Sequence, residues 1–154
     1  MGLDIHGSVT KKTWHASYSG LHHIRRLALF TLGFPDTVGG KDVAAIFPIC
    51  YFLPEKLTAS ELVRVMEIML VAGHIYPNLM LHSDCEGNYT KNGKINPQGD
   101  WMKGNSIGLL NELKNVRIMT DKKHRDSKGW ELLISLYELL EDEIKNGKGT
   151  IRFS

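Results

Sequence analysis

Four stretches of the chain repeat apolar side chains every three or four residues, and each is bracketed by residues that start or stop a helix. That period buries one stripe and wets the other, so the chain has to fold by laying helices against an apolar surface. In the first stretch Leu21, Ile24, Leu27, Ala28 and Leu32 follow Ser19, a suitable N-cap, and run into Gly33 and Pro35. The second opens with Thr58-Ala59-Ser60-Glu61, a capping box in which hydroxyl and carboxylate each satisfy one free backbone N–H. Leu62, Val65, Met66, Met69 and Leu70 form its expected buried stripe, and Gly73 its expected end. Ile107, Leu110 and Leu113 mark the third stretch behind a Gly104-Asn105-Ser106 cap. Trp130, Leu133, Tyr137, Leu140 and Ile144 mark the fourth, closed by Gly147.

The surface they pack on is a small sheet. Leu3-Asp4-Ile5-His6-Gly7-Ser8-Val9 alternates apolar and polar residues, the period of a strand with one buried face, and sets His6 opposite Leu3 and Ile5. Thr150 to Phe153 adds a last strand. Val43 to Leu53, an apolar run broken by Pro48, reads as an edge strand or extended segment. Lys11 to Tyr18 has no helical stripe, and Gly39-Gly40 marks a turn. The expected fold is α+β, a single compact domain over residues 1–154 with about four helices on the sheet.

With 154 residues, 42% of them hydrophobic, the chain builds one core of ordinary size and needs no staple, so Cys50 and Cys85 read as thiols. The formal net charge of +2 lacks the dense positive field of a protein that coats a nucleic-acid polymer. No apolar run reaches the roughly 18 to 20 residues that cross a bilayer. His6 also stands where a myristoylation motif needs Ser or Thr. No membrane partner and a cytoplasmic location are expected.

Two polar clusters stand out. Trp14-His15-Ala16-Ser17-Tyr18-Ser19-Gly20-Leu21-His22-His23-Ile24-Arg25-Arg26 gathers hydroxyls, imidazoles and guanidinia around a helix start. There a phosphate can be held by free N–H groups together with His22, Arg25 and Arg26, while Trp14 or Tyr18 stacks on a base. His15, Ser17 and Ser19 complete this half of the expected site. The plainer reading has Ser19 as a cap, the arginines in solvent and Trp14 in the core.

His82-Ser83-Asp84-Cys85-Glu86-Gly87 forms the second cluster, ahead of a long Gly-, Asn- and Lys-rich loop. His82 and Cys85 have half the spacing of a zinc site without the other half, and Cys85 as a nucleophile fits no local pattern of a cysteine hydrolase. Recognition is the remaining use, with His82, Ser83, Asp84, Glu86 and the Gly87 amide reading sugar or base edges. A plain turn after a strand is the competing one. No cofactor and no resident metal are expected. Gly39-Gly40-Lys41 lacks phosphate-loop spacing, and Lys122-Lys123-His124-Arg125 reads as a solvated linker.

The Met1-Gly2-Leu3-Asp4 start, the stretch from Trp14 to Gly20 and the His82 to Gly87 hexapeptide together resemble a group of small uncharacterised bacteriophage and prophage proteins. That resemblance implies a phage setting and the joining of the two clusters in one site. It implies no reaction.

The expected function is capture of a small phosphorylated or nucleotide-like ligand, such as a signalling nucleotide of host immunity, without turnover. The runner-up is a metal-assisted hydrolase using His15, His22, His82 and Asp84. A third reading is an inhibitor that grips a host protein through the Asn88 to Lys103 loop, with Tyr89 and Trp101. Assembly into a homo-oligomer suits a ligand-capturing chain of this size, with symmetry unspecified.

Overall fold

The computed structural model describes residues 2–44, 57–80, 103–147 and 150–153. Their order is β1 (Gly2–Gly7), β2 (Thr13–Ser17), α1 (Tyr18–Thr31), β3 (Thr37–Val38), β4 (Lys41–Asp42), α2 (Ala59–Ile75), α3 (Pro77–Met80), β5 (Lys103–Asn105), α4 (Ser106–Met119), a 3-10 turn at Lys122–His124, α5 (Lys128–Lys145) and β6 (Thr150–Phe153). The fold is α+β. β2, β1, β6 and β5 form, in that order, an antiparallel sheet, so the last strand in the sequence lies inside it. β3 and β4 make a separate hairpin across Gly39 and Gly40, at φ +58° and +74°, where a side chain would be strained.

One face of the sheet is covered by helices. Ile5, Trp14, Ala16 and Ile151 are buried there with Leu21, Ile24, Leu27 and Ala28 of α1 and Leu133, Leu136, Tyr137 and Leu140 of α5. α1 and α5 approach so closely that a Cβ on Gly129 would lie 2.6 Å from the His23 carbonyl oxygen. α4 packs beside α5, and α3 links α2 to α4.

Two buried carboxylates tie this framework together. Glu143 of α5 accepts hydrogen bonds from Val9 N (2.6 Å), Thr10 N (2.9 Å), Thr10 Oγ1 (2.7 Å) and Ser8 Oγ (3.4 Å), which pins the turn between β1 and β2. Its burial works to raise the carboxyl pKa, but these donors outweigh that and hold it below the usual range. Gly7 is required beside it, since a Cβ there would fall 2.4 Å from Glu143 Oε2. Glu112 of α4 accepts from Asn78 N at 2.9 and 3.2 Å and from Leu79 N at 3.3 Å, capping α3; here burial dominates and lifts its carboxyl to about 7.

Several local expectations shift. α1 begins with Ser17 as N-cap rather than Ser19. Residues 13–17, read only as non-helical, are a strand, and Lys103–Asn105, where Gly104 and Asn105 were expected to cap the next helix, is another. The Thr58 capping box is present, with Glu61 N donating to Thr58 Oγ1 at 3.2 Å and Thr58 N to Glu61 Oε2 at 2.9 Å. The stripe behind it is rotated from the expected one. Val65, Ile68, Met69 and Ala72 face inward, whereas Met66 and Leu70 are exposed and Gly73 lies inside a helix that runs on to Ile75. In α4 the buried stripe is Leu109, Leu113 and Val116, with Ile107 exposed. Val43 and Ala44 are buried; the remainder of the expected segment to Leu53, from residue 45, lies outside the described residues.

Candidate functional site

The first cluster divides between interior and surface. Trp14 is 6% exposed and its Nε1 donates to Ser135 Oγ at 2.9 Å, so it belongs to the core and leaves no face for a base. Arg25 is 1% exposed, and its Nε donates to the Leu79 carbonyl oxygen at 2.9 Å, so the role of solvent-facing phosphate clamp does not fit it. Arg26 forms an ion pair with Asp42 of β4, which balances its charge, and its Nη1 lies 3.4 Å from His23 Nδ1. Arg26 Nε is buried and makes no hydrogen bond. His22 is half-buried. Burial first, then the positive charges of Arg25 and Arg26 and neighbouring His23, drive its pKa down to about 4 against the opposing pull of Asp42. It is neutral at pH 7, so the expected cationic face of His22, Arg25 and Arg26 is not formed: one group is neutral, one internal and one paired.

His15 and Ser17 fare differently, and both are exposed. They lie on β2, alternating with the buried Trp14 and Ala16, on the face of the sheet away from the helices. Tyr18 and Ser19 open α1 just beyond. Across the strand pair, His15 Nδ1 hydrogen-bonds Asp4 Oδ1, and His6 Nδ1 lies 2.9 Å from Thr13 Oγ1. The ladder sets Thr13 opposite His6, His6 opposite Arg152, and Arg152 opposite Lys103, one row running over all four strands. Neighbouring strands lie about 4.8 Å apart, so that row is about 14 Å long. The buried strand residues Ile5, Trp14, Ala16 and Ile151 and the core residues of α1 and α5 lie on the opposite face.

His82, Ser83, Asp84, Glu86 and Gly87, with both cysteines and all of the Asn88 to Lys103 loop except Lys103, lie outside the described residues. Among the described residues no three His, Cys, Asp or Glu side chains gather to hold a metal ion. A groove of about 540 Å3 between α4 and α5 is lined by Leu110, Ile144, Glu138, Glu141, Asp142 and Lys145, too acidic to hold a phosphate.

The sequence reading did not single out Glu112 or Glu143. Each stands on the apolar stripe of its helix, Glu112 between Leu109 and Val116 and Glu143 one turn after Leu140. A carboxylate on a buried stripe was the available signal. Nor did it single out the row through Arg152 and Lys103, which depends on pairing between strands remote in sequence. Comparison with protein families, with curated proteins and with solved structures finds no match for the chain.

Proposed function

We propose that this chain binds a small phosphorylated or nucleotide-like ligand and sequesters it without turnover, in the phage and host-defence setting that the sequence resemblance implies. The observation that supports the reading is the register of the sheet on the face away from the core. There His6, Arg152 and Lys103 occupy consecutive positions of one row, with only Asp4 acidic among the described positions beside them, and Asp4 is engaged by His15. Cross-strand neighbours lie about 5 Å apart, a spacing that lets one phosphate group meet two side chains at once. The hexapeptide from His82 to Gly87 precedes β5 in the chain and is the second half of the proposed site.

One observation favours turnover as a second reading. A carboxylate holding Nδ1 of an exposed histidine is the arrangement that frees Nε2 to take a proton, and Asp4 stands so to His15. On that reading His15 acts as a general base on the bound ligand.

Mass spectrometry of the purified chain, native and then heat-denatured, tests both readings. Capture predicts release of an intact phosphorylated molecule. Arg152→Gln and Lys103→Gln should each weaken its binding at least ~10-fold while Tm stays within about 2 °C. A chain that carries nothing and binds no phosphorylated compound sinks the proposal. Conversion of added ligand, abolished by His15→Gln, moves the assignment to the enzyme.

A further inference from the structure

β2 and β5 end the described sheet, and they differ as edges. β5 is three residues long and begins with Lys103, a short and charged strand of the kind that resists further pairing. β2 runs for five residues without Pro, Gly, Lys, Arg, Asp or Glu, so nothing within it guards the edge. The register fixes which of its main-chain groups are engaged. Gly7 N donates to Lys12 O at 2.9 Å, and antiparallel pairs alternate between bonded and non-bonded, so Trp14 bonds Ile5 and Ala16 bonds Leu3. Thr13 and His15 belong to the pairs between, where side chains come closest, as their contacts with His6 and Asp4 show. Their N–H and C=O groups therefore point away from β1, and no described residue meets them. Both residues are exposed, His15 with 70% of its side chain open.

We propose that this edge pairs with β2 of a second copy, antiparallel and two-fold about Trp14. The outward groups of Thr13 and His15 are symmetric about that residue, which is what an isologous contact requires. Thr13 then stands opposite His15 of the second copy, and each such pair exchanges both of its main-chain bonds, so every outward N–H and C=O of the two residues is used. Charge selects the direction. In-register parallel pairing sets Lys12 beside Lys12, whereas the antiparallel register puts Lys12 opposite Ala16 and keeps the lysines of the two copies at opposite ends. Lys12 is also balanced within its own copy by Asp142. A histidine beside Thr13 repeats the pair that His6 already makes with it across β1. In the dimer the row of Lys103, Arg152, His6 and Thr13 gains His15 of the second copy, held there by its own Asp4. The site is thus composite, with the basic row of one copy ending about 5 Å from the imidazole strand position of the other. That last step rests on the ligand reading above; the strand pairing does not.

Sedimentation equilibrium and amide hydrogen exchange of the full, ligand-free chain test the pairing. Strands this short bury less than the ~1,200 Å2 of a stable complex, so association is expected between about 10 and 500 μM. The expected species is twice 17.4 kDa. Over that range the Thr13 and His15 amides should gain at least ~10-fold protection, while those of Trp14 and Ala16, already bonded to β1, stay protected throughout. Thr13→Lys/His15→Lys sets lysine against lysine twice and should raise the dissociation constant at least ~10-fold with an unchanged far-UV CD spectrum. Thr13→Glu/His15→Lys sets acid against base twice and should restore association. A monomer up to about 500 μM, or a dimer whose Thr13 and His15 amides stay unprotected, overturns the pairing. Failure of the Thr13→Glu/His15→Lys chain to associate overturns the antiparallel register. With no ligand present, these outcomes stand apart from the test of capture.

Discussion

Arg25 shows how far one residue's role depends on where its helix is rotated. In the sequence it stands among histidines and another arginine and looks like a ligand group. In the fold it is an internal donor to the Leu79 carbonyl on α3. Replacing it with Met keeps much of the volume and leaves that buried oxygen short of a donor, which should lower stability by about 3 kcal/mol. Urea denaturation measures the loss, and a change under about 0.5 kcal/mol would contradict the structural role. Its neighbour Arg26 carries no such internal duty, because Asp42 meets it at a half-exposed site. The residue types were legible in the sequence; their direction was not. One turn of a helix separates the core from the surface by only two or three positions, and Ile24-Arg25-Arg26 spans both.

At the scale of elements, legibility followed periodicity and its clarity. α1 and α5 each have one apolar side and were placed correctly, as was β1, whose alternation is unbroken. α2 has apolar residues nearly all round, so its phase could be read only in part: Val65 and Met69 are buried as expected, but Met66 and Leu70 are exposed and Ile68 and Ala72 are buried in their place. β5, with the sequence Lys-Gly-Asn, carries no strand signal and becomes a strand only because β6 supplies a partner. Glu143 joins two elements. Its four hydrogen bonds hold the turn of β1 and β2 to α5, and with it the strands that present His6 and Thr13. Glu143→Gln turns an amide NH2 toward backbone donors and should destabilise the fold by about 2 kcal/mol. It should also raise the mobility of residues 8–12, read by amide hydrogen exchange; unchanged protection there would show the turn to be self-sufficient.

For the whole molecule, two half-hidden titrations set the pH response. The Glu112 carboxyl, ordinarily near 4.5, keeps its proton to about 7 in the fold. Over that interval the fold holds a proton the unfolded chain has lost, so stability falls as pH rises. His22, ordinarily near 6.5, stays neutral down to about 4. There the unfolded chain takes up the proton, so stability falls as pH drops. The two slopes oppose each other between about 4.5 and 6.5, each at most about 1.4 kcal/mol per pH unit. Wild-type stability should therefore change little from these groups across that window. Glu112→Gln should make it climb with pH, and His22→Asn should make it decline. Chemical denaturation at three pH values separates the cases, and parallel profiles for all three chains would refute the assignment.

The position of β6 has a further consequence for how the molecule is made. It is the last of the described elements in the chain, yet it sits between β1 and β5. During synthesis the helices are made before the strand that bridges those two, so the nascent chain passes through a stage with an open gap beside β1, whose edge there is unpaired. The basic row appears only when that gap closes. Quality control that recognises exposed strand edges therefore has its clearest target in the moments before β6 docks.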